Sequence, residues 1–259
     1  MCTLALYSRR FEDYPLVLAA NRDEQFSRPS AAPALGPGAA KILAGRDLVA
    51  GGTWLGVNAR GVAAAVVNRR AKIEQAAGEF RSRGLLCLDM LKAGGAAEAR
   101  ERLGREDGSK YQPFILLVAS ASAAFAAFNP GEEIKLIELD AGLHVFSNTS
   151  FTDQGRGKLD RARGLFASVE ESLREQLGGR AALEPAVGTL QAVLGDHAPA
   201  DNSSELRDAI CVHTPGAAYG TASSSIIFAS RAEKKFYFYH APGAPCRTGY
   251  APAEPLSIS

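Results

Sequence analysis

The sequence is short of the residues that usually announce a metal or redox protein. Only four cysteines and four histidines occur in 259 residues. The cysteines, Cys2, Cys87, Cys211 and Cys246, are scattered and form no C-x-x-C pair. That spacing argues against a zinc knuckle, a thioredoxin-type motif and a disulfide scaffold, and it fits a reducing compartment. The histidines, His144, His197, His213 and His240, stand isolated, and a lone histidine is most often structural. No Cys-x-x-Cys-His haem attachment is present. Nor is there a P-loop, a G-x-S-x-G elbow, an H-E-x-x-H helix or a Rossmann glycine fingerprint. The net charge is only +1, so no global field draws the chain to nucleic acid or a membrane surface. No apolar run approaches the roughly 20 residues of a membrane span. The first apolar run has no basic segment ahead of it and stops at Tyr7, before Arg9-Arg10, unlike a secretory signal. A soluble, cytoplasmic protein is expected.

The remaining composition is that of an ordinary globular chain, 46% hydrophobic and 22% charged. One domain over residues 1–259 fits this length, without internal repeats or an evident linker. Cys2–Ser8 and Leu16–Asn21 read as a hairpin joined by a short polar turn. Residues 27–41 read as a loop from their Ala, Pro and Gly content. The run Val62–Val67 reads as a strand buried on both faces. Residues 80–103 look helical with a break at Gly94-Gly95. Then Phe114–Ala119, Ala124–Phe128, Ile134–Leu139 and Leu143–Ser147 suggest an antiparallel meander. Residues 157–177 carry apolar positions at three- and four-residue steps and predict one long helix. Glu184–Leu194 predicts another helix. Residues 209–213, 224–230 and 235–240 suggest closing strands. Blocks of strands and helices in this order imply an α+β fold with antiparallel sheets rather than βαβ units.

The unusual residue is Cys2. Once Met1 is removed, it would carry a thiol and a free α-amine, a nucleophile and its base on one residue. Such a nucleophile needs a nearby cation, a group that holds the amine, and donors for an oxyanion. Arg22 and Asp23 follow the second strand, while Asn68 and Asn148 each close a strand, so all four are of the right types at strand ends. The basic run at the start of the long helix (Arg156, Lys158, Arg161, Arg163) reads as a solvated face.

Several segments together resemble the NRDE family, also called the transport and Golgi organisation protein 2 family. They are Met1-Cys2-Thr3, Asn21-Arg22-Asp23-Glu24, Ser27-Arg28-Pro29, Gly45-Arg46-Asp47 and Gly51-Gly52-Thr53-Trp54-Leu55-Gly56-Val57-Asn58. The similarity runs on through Gly61 to Asn68, Ser147-Asn148 and Tyr219-Gly220-Thr221. It implies an N-terminal-nucleophile hydrolase-like αββα sandwich, in which helices cover two facing antiparallel sheets. More remotely the chain resembles the cysteine branch with bile-salt hydrolases and penicillin V acylases. That resemblance implies Cys2 as nucleophile, Asp23 as the matching aspartate and Asn68 as oxyanion donor. The acylases place an arginine three positions before the aspartate, where this chain has Ala20. Two further family positions differ, Thr149 after Asn148 and Ala222 after Thr221.

Two functions follow from the resemblance. The first is hydrolysis of a C–N amide bond in a small acyl-amide substrate, with Cys2, Arg22, Asp23, Asn68 and Asn148 as catalytic residues and no cofactor. The second is a non-catalytic role in haem trafficking or acyl-CoA and lipid handling, with haem or a lipid held in the same cleft.

Overall fold

The structure, a computed structural model, describes residues 2–69, 80–148, 157–178, 182–199 and 208–259. The chain begins with strands β1 (Thr3–Ser8), β2 (Leu16–Gln25), β3 (Ser30–Leu35), β4 (Ile42–Asp47), β5 (Leu55–Asn58) and β6 (Ala63–Asn68). Helices α1 (Arg83–Met90) and α2 (Ala96–Leu103) precede a meander of β7 (Phe114–Ala119), β8 (Ala124–Asn129), β9 (Lys135–Glu138) and β10 (Gly142–Ser147). Helices α3 (Gly157–Ser168), α4 (Glu170–Gln176) and α5 (Glu184–Leu194) follow. The closing strands are β11 (Tyr219–Ser230), β12 (Lys235–Ala241) and the two-residue β13 (Ala251–Pro252) and β14 (Leu256–Ser257).

The strands form two seven-stranded sheets. One runs β10-β1-β2-β11-β12-β13, with β14 also on β12; the other runs β3 to β9 in chain order. The pairings between neighbouring strands are antiparallel. Alternation along β1 and β2 sorts side chains into two cores. Leu4, Leu6, Leu16 and Leu18 meet Leu55, Val67 and Leu117 of the other sheet in the central core. Ala5, Tyr7, Val17 and Ala19 point the other way, onto α3, α4 and α5 through Leu159, Phe166, Leu173 and Leu190. Helices α1 and α2 cover the outer face of the second sheet with Leu86, Met90 and Leu103 against Leu116 and Val118. Three cores between four layers make the expected αββα sandwich. Among the described residues, no helix is long and apolar enough to cross a membrane.

Three expectations are corrected. Residues 30–35 of the expected loop form β3, an edge strand that is exposed almost throughout. Its pairing with β4 shifts between Ala31 and Ala34, around Pro33, which an edge strand tolerates because the missing N–H need not join a ladder. The long helix over 157–177 is two helices, broken at Val169. Residues 209–213 make no strand; His213 contributes one isolated bridge to Gly220.

The segment Gly51-Gly52-Thr53-Trp54 seats α1 against the second sheet. A Cβ on Gly52 would lie 2.2 Å from the Gly84 carbonyl carbon and 2.4 Å from the Leu85 nitrogen, so only glycine fits. The Thr53 N–H donates to the Gly84 carbonyl at 3.0 Å, fixing the same contact. Gly52→Ala is expected to destabilise the protein by about 1–3 kcal/mol through overpacking, read as a lower urea midpoint at unchanged slope.

Candidate active site

The family-like residues converge on one cavity of about 670 Å³, lined among others by Cys2, Arg22, Asp23, Asn68, Trp54 and Arg83. It opens where the start of β1 and the end of β2 meet the start of β5 and the end of β6. Cys2 lies just before β1 and packs on the central core. Burial raises its thiol pKa, and the Asp23 carboxylate pushes the same way. The charge of the amino terminus opposes them most, then the Asp23 backbone N–H bonding to the sulfur and the Lys158 charge, but the net shift is upward.

Strand β2 does not stop at Asn21, as the sequence suggested, but continues to Gln25. Arg22 and Asp23 are therefore successive strand residues on opposite faces. Asp23 turns toward the helix layer. Its Oδ2 lies 3.4 Å from Lys158 Nζ, with both side chains essentially inaccessible. Its Oδ1 accepts a 2.7 Å hydrogen bond from the Thr221 hydroxyl. Lys158 thus corrects the reading of the basic run as a solvated face: it is buried at the start of α3. Arg163 does sit on the surface with Asp160, and Arg161 pairs with Asp196. Arg156 lies outside the described residues. A lysine in a helical charge run gives no sequence signal for burial; only a partner such as Asp23, 135 positions away, decides it.

Arg22 turns toward the space between the sheets. Its guanidinium lies over the Trp54 ring, 4.6 Å from the centroid, and 3.6 Å from Glu24 Oε2. Its Nη1 is buried without a hydrogen-bond partner. A Cβ on Gly45 would come within 2.6 Å of the Trp54 ring, so the glycine is what lets the indole lie flat beneath Arg22. Arg83 lies on the same wall, with Nη1 donating to the Pro113 carbonyl at 2.9 Å. Burial lowers its pKa, and the charges of Cys2 and Glu24 oppose that shift.

Of the other family-like residues, Arg28 and Asp47 line the cavity, whereas Asn21 and Asn58 brace the fold behind it. Asn21 donates to the carbonyls of Leu194 and Ile210, tying β2 to the helix layer. Arg28 donates to Asp47 Oδ2 at 2.7 Å, joining the segment after β2 to the end of β4. Burial pushes the Asp47 carboxyl up, but Arg28 and the backbone N–H groups of Ala50 and Val49 outweigh it and hold it low. Asn58 is a turn residue: it donates to Leu91 and Ala93 carbonyls and accepts from Arg60 and Val62 N–H groups.

Asn68 ends β6, is exposed and lines the cavity with Cys2. Asn148 follows β10 one position beyond the Thr3–Ser147 pair, which puts it beside Cys2 in the sheet register. It is 3% exposed, and its Oδ1 has no partner. Thr3 Oγ1 and Ser223 Oγ are likewise buried and unpartnered, and Ser223 pairs with Arg22 in the ladder. A buried polar group left unpaired costs about 1–3 kcal/mol, so a concentration of them around one thiol marks a place built for polar partners.

Comparison with known proteins agrees with this architecture. The family profile described as Transport and Golgi organisation 2 matches residues 1–241. The human Transport and Golgi organization protein 2 homolog is 32% identical over 233 residues, spanning 83% of this chain and 82% of that protein. The Bos taurus homolog is 30% identical over 232 residues, with the same two coverages. Among solved structures, a conjugated bile acid hydrolase from Clostridium perfringens superposes with a TM-score of 0.58 at 10% identity, covering 100% of this chain and 98% of that one. A Caenorhabditis elegans N-acylethanolamine-hydrolyzing acid amidase ortholog gives 0.55 at 12% identity, covering 88% and 92%. These two likenesses establish the N-terminal-nucleophile hydrolase fold. By the extent of the profile match and the identity to its relatives, the chain belongs to the Transport and Golgi organisation 2 family.

Proposed function

We propose that the cavity is the active site of a cysteine N-terminal-nucleophile hydrolase that cleaves the C–N bond of a small acyl amide. The observation that carries this reading is the environment of Cys2, a thiol at the cavity wall bonded to Asp23, which is itself held by Lys158 and Thr221. After Met1 removal the Cys2 α-amine takes the thiol proton, and the sulfur attacks the substrate carbonyl. The tetrahedral oxyanion collapses to a thioester as the amine leaves with the proton returned by the α-ammonium. Water then attacks the thioester, gives its proton to the α-amine, and the acid is released with the thiol restored. Asn68 donates to the oxyanion from the open side of the cavity. Asp23 and the unpartnered Asn148 Oδ1 hold the α-amine, and Lys158 supplies the cation that favours the thiolate.

Arg22 and Arg83 favour a substrate with an anionic group. Arg28 and Arg81 each have a close carboxylate, Asp47 and Asp89, whereas Arg22 has only the looser contact to Glu24. Its free Nη1 suits a carboxylate or phosphate oxygen. The alternative, a haem or acyl-CoA carrier, would use the same arginines, but among the described residues no histidine lines this cavity to ligate iron. The hydrolase reading is preferred because it alone uses the Cys2, Asp23 and Lys158 arrangement.

The test begins with the intact mass of the purified protein, expected to lack Met1. The processed protein is then given a panel of N-acyl amides with and without a terminal carboxylate, and amine release is followed. Release from the carboxylate-bearing members is expected. Processed protein that releases amine from none of the panel, yet shifts the haem Soret band saturably at micromolar concentration, overturns the reading in favour of the carrier.

A further inference from the structure

The sequence kept its cysteines and histidines apart; the fold does not. His197, Cys211, His213 and Cys246 each offer one ligand atom, and these atoms all lie within 4.8 Å of one another. None of the four lines the Cys2 cavity. We propose that they form a tetrahedral transition-metal site, with zinc as its natural occupant.

The distances carry the argument. A tetrahedral zinc ion with usual Zn–S and Zn–N bonds requires edges of roughly 3.8 Å between sulfurs and roughly 3.6 Å between sulfur and nitrogen. Here the two sulfurs are 3.7 Å apart. His213 Nε2 lies 3.5 Å from Cys211 Sγ and 3.2 Å from Cys246 Sγ. The fourth ligand atom, from His197, lies within 4.8 Å of the other three, and its ring stands 5.0 Å from the His213 ring between centroids, so a small ring movement brings it to the fourth corner. Two thiolates and two imidazoles in this geometry select zinc over magnesium, calcium or manganese.

The corners are held by backbone from three separated segments. The Cys211 N–H donates to the Asp196 carbonyl at 2.8 Å, joining the residue before His197 to the second ligand. His213 is fixed by its bridge to Gly220. Cys246 sits in a turn where the N–H groups of Arg247 and Thr248 both reach the Ala244 carbonyl, and Gln191 Nε2 donates to the Pro245 carbonyl. The Cys246 N–H also bonds to the Cys211 sulfur, the N–H···S contact that supports a bound thiolate. Apolar packing does not explain this convergence, because Cys246 and His197 are exposed.

Loading balances simply. Two thiols release their protons to solvent, both imidazoles stay neutral, and the divalent ion cancels the two thiolate charges. The site also reaches the Cys2 cavity. The Val212 N–H, between two ligands, donates to Thr221 Oγ1 at 2.8 Å, and that hydroxyl donates to Asp23 at 2.7 Å. A bound metal would fasten the segment that positions the partner of Asp23.

The test is cobalt titration of the full chain after chelator treatment. Visible d–d bands and a thiolate charge-transfer band saturating at one equivalent, bleached by zinc, are expected. Cys246→Ser and His213→Gln should each weaken binding at least tenfold, while Cys2→Ala should bind like the wild type. Metal should raise the melting temperature of the wild type more than that of Cys246→Ser. Folded wild type without d–d bands, or equal binding by wild type and Cys246→Ser, overturns the proposal. So does protein purified under reducing conditions that is two hydrogens lighter, with Cys211 and Cys246 joined in one disulfide-linked peptide.

Discussion

Cys2→Ala is expected to lower acyl-amide turnover by roughly a thousandfold or more, because the atom that would form the thioester is gone. Folding should survive the change. Cys2 is only partly buried at the end of the central core, and alanine removes a single sulfur atom there. The expected shift in melting temperature is therefore a few degrees at most. Cys2→Ser is the sharper comparison, since it keeps the size and the α-amine while exchanging the thiol for a poorer nucleophile. Serine should show residual turnover between alanine and wild type. The upward shift of the thiol pKa by burial adds a pH signature. Only the thiolate attacks, so alkylation of Cys2 by iodoacetamide should accelerate as pH rises toward the raised pKa. Lys158→Met should move that profile further upward, because it removes a charge that opposes the shift. Turnover by Cys2→Ala equal to wild type would sink the nucleophile assignment whatever the profile.

Asp23→Ala is expected to have the largest effect on stability, about 3–5 kcal/mol, because it leaves Lys158 as an unpaired cation in the helix layer. The Lys158 side chain is 2% exposed and cannot reach water without moving α3. Lys158→Met is expected to cost less. The Asp23 carboxylate would keep the Thr221 hydroxyl, and methionine fills the lysine's volume with apolar atoms. Combining Asp23→Asn with Lys158→Met removes both charges together. Paired burial of charge is often replaceable by neutral groups at little net cost, so the double variant should be more stable than additivity predicts. A double-mutant cycle in urea measures this coupling, and strict additivity would show that the two side chains do not act as a pair. Activity divides the two effects: the double variant should fold yet remain inactive, since Asp23 no longer holds the α-amine.

Much of this arrangement was legible in the sequence, for identifiable reasons. Strands such as Phe114–Ala119 and the helix Glu184–Leu194 were readable because their apolar pattern matches their own period and turn residues bound them. Cys2, Arg22 and Asp23 were legible as neighbours because the hairpin brings β1 and β2 together by local geometry. What the sequence hid depends on partners far along the chain. β3 is a strand only because β4 accepts its backbone; its Ala and Pro residues carry no β signal of their own. The run 157–177 kept one helical period across Val169, so nothing in the spacing marked the break between α3 and α4. Lys158 looked solvated because burial of a lysine is decided by Asp23, not by its neighbours in the helix. The His197, Cys211, His213 and Cys246 cluster was invisible for the same reason: the usual short ligand spacings are absent, and three turns assemble it in space.

The position of β1 in its sheet also sets an order of events. β1 is an interior strand, flanked by β2 on one side and β10 on the other. Its first neighbour is made almost at once, but its second comes more than a hundred residues later, on the order of ten seconds in synthesis. During that interval the head of the chain is open along one edge. Once β10 docks, Thr3 and its neighbours are walled in on both sides. An enzyme that trims the residue ahead of Cys2 meets an open sheet edge while the chain is nascent and a finished sheet afterwards. A tag fused there, left uncut, would burden the assembly of the whole sheet and not merely cover a thiol.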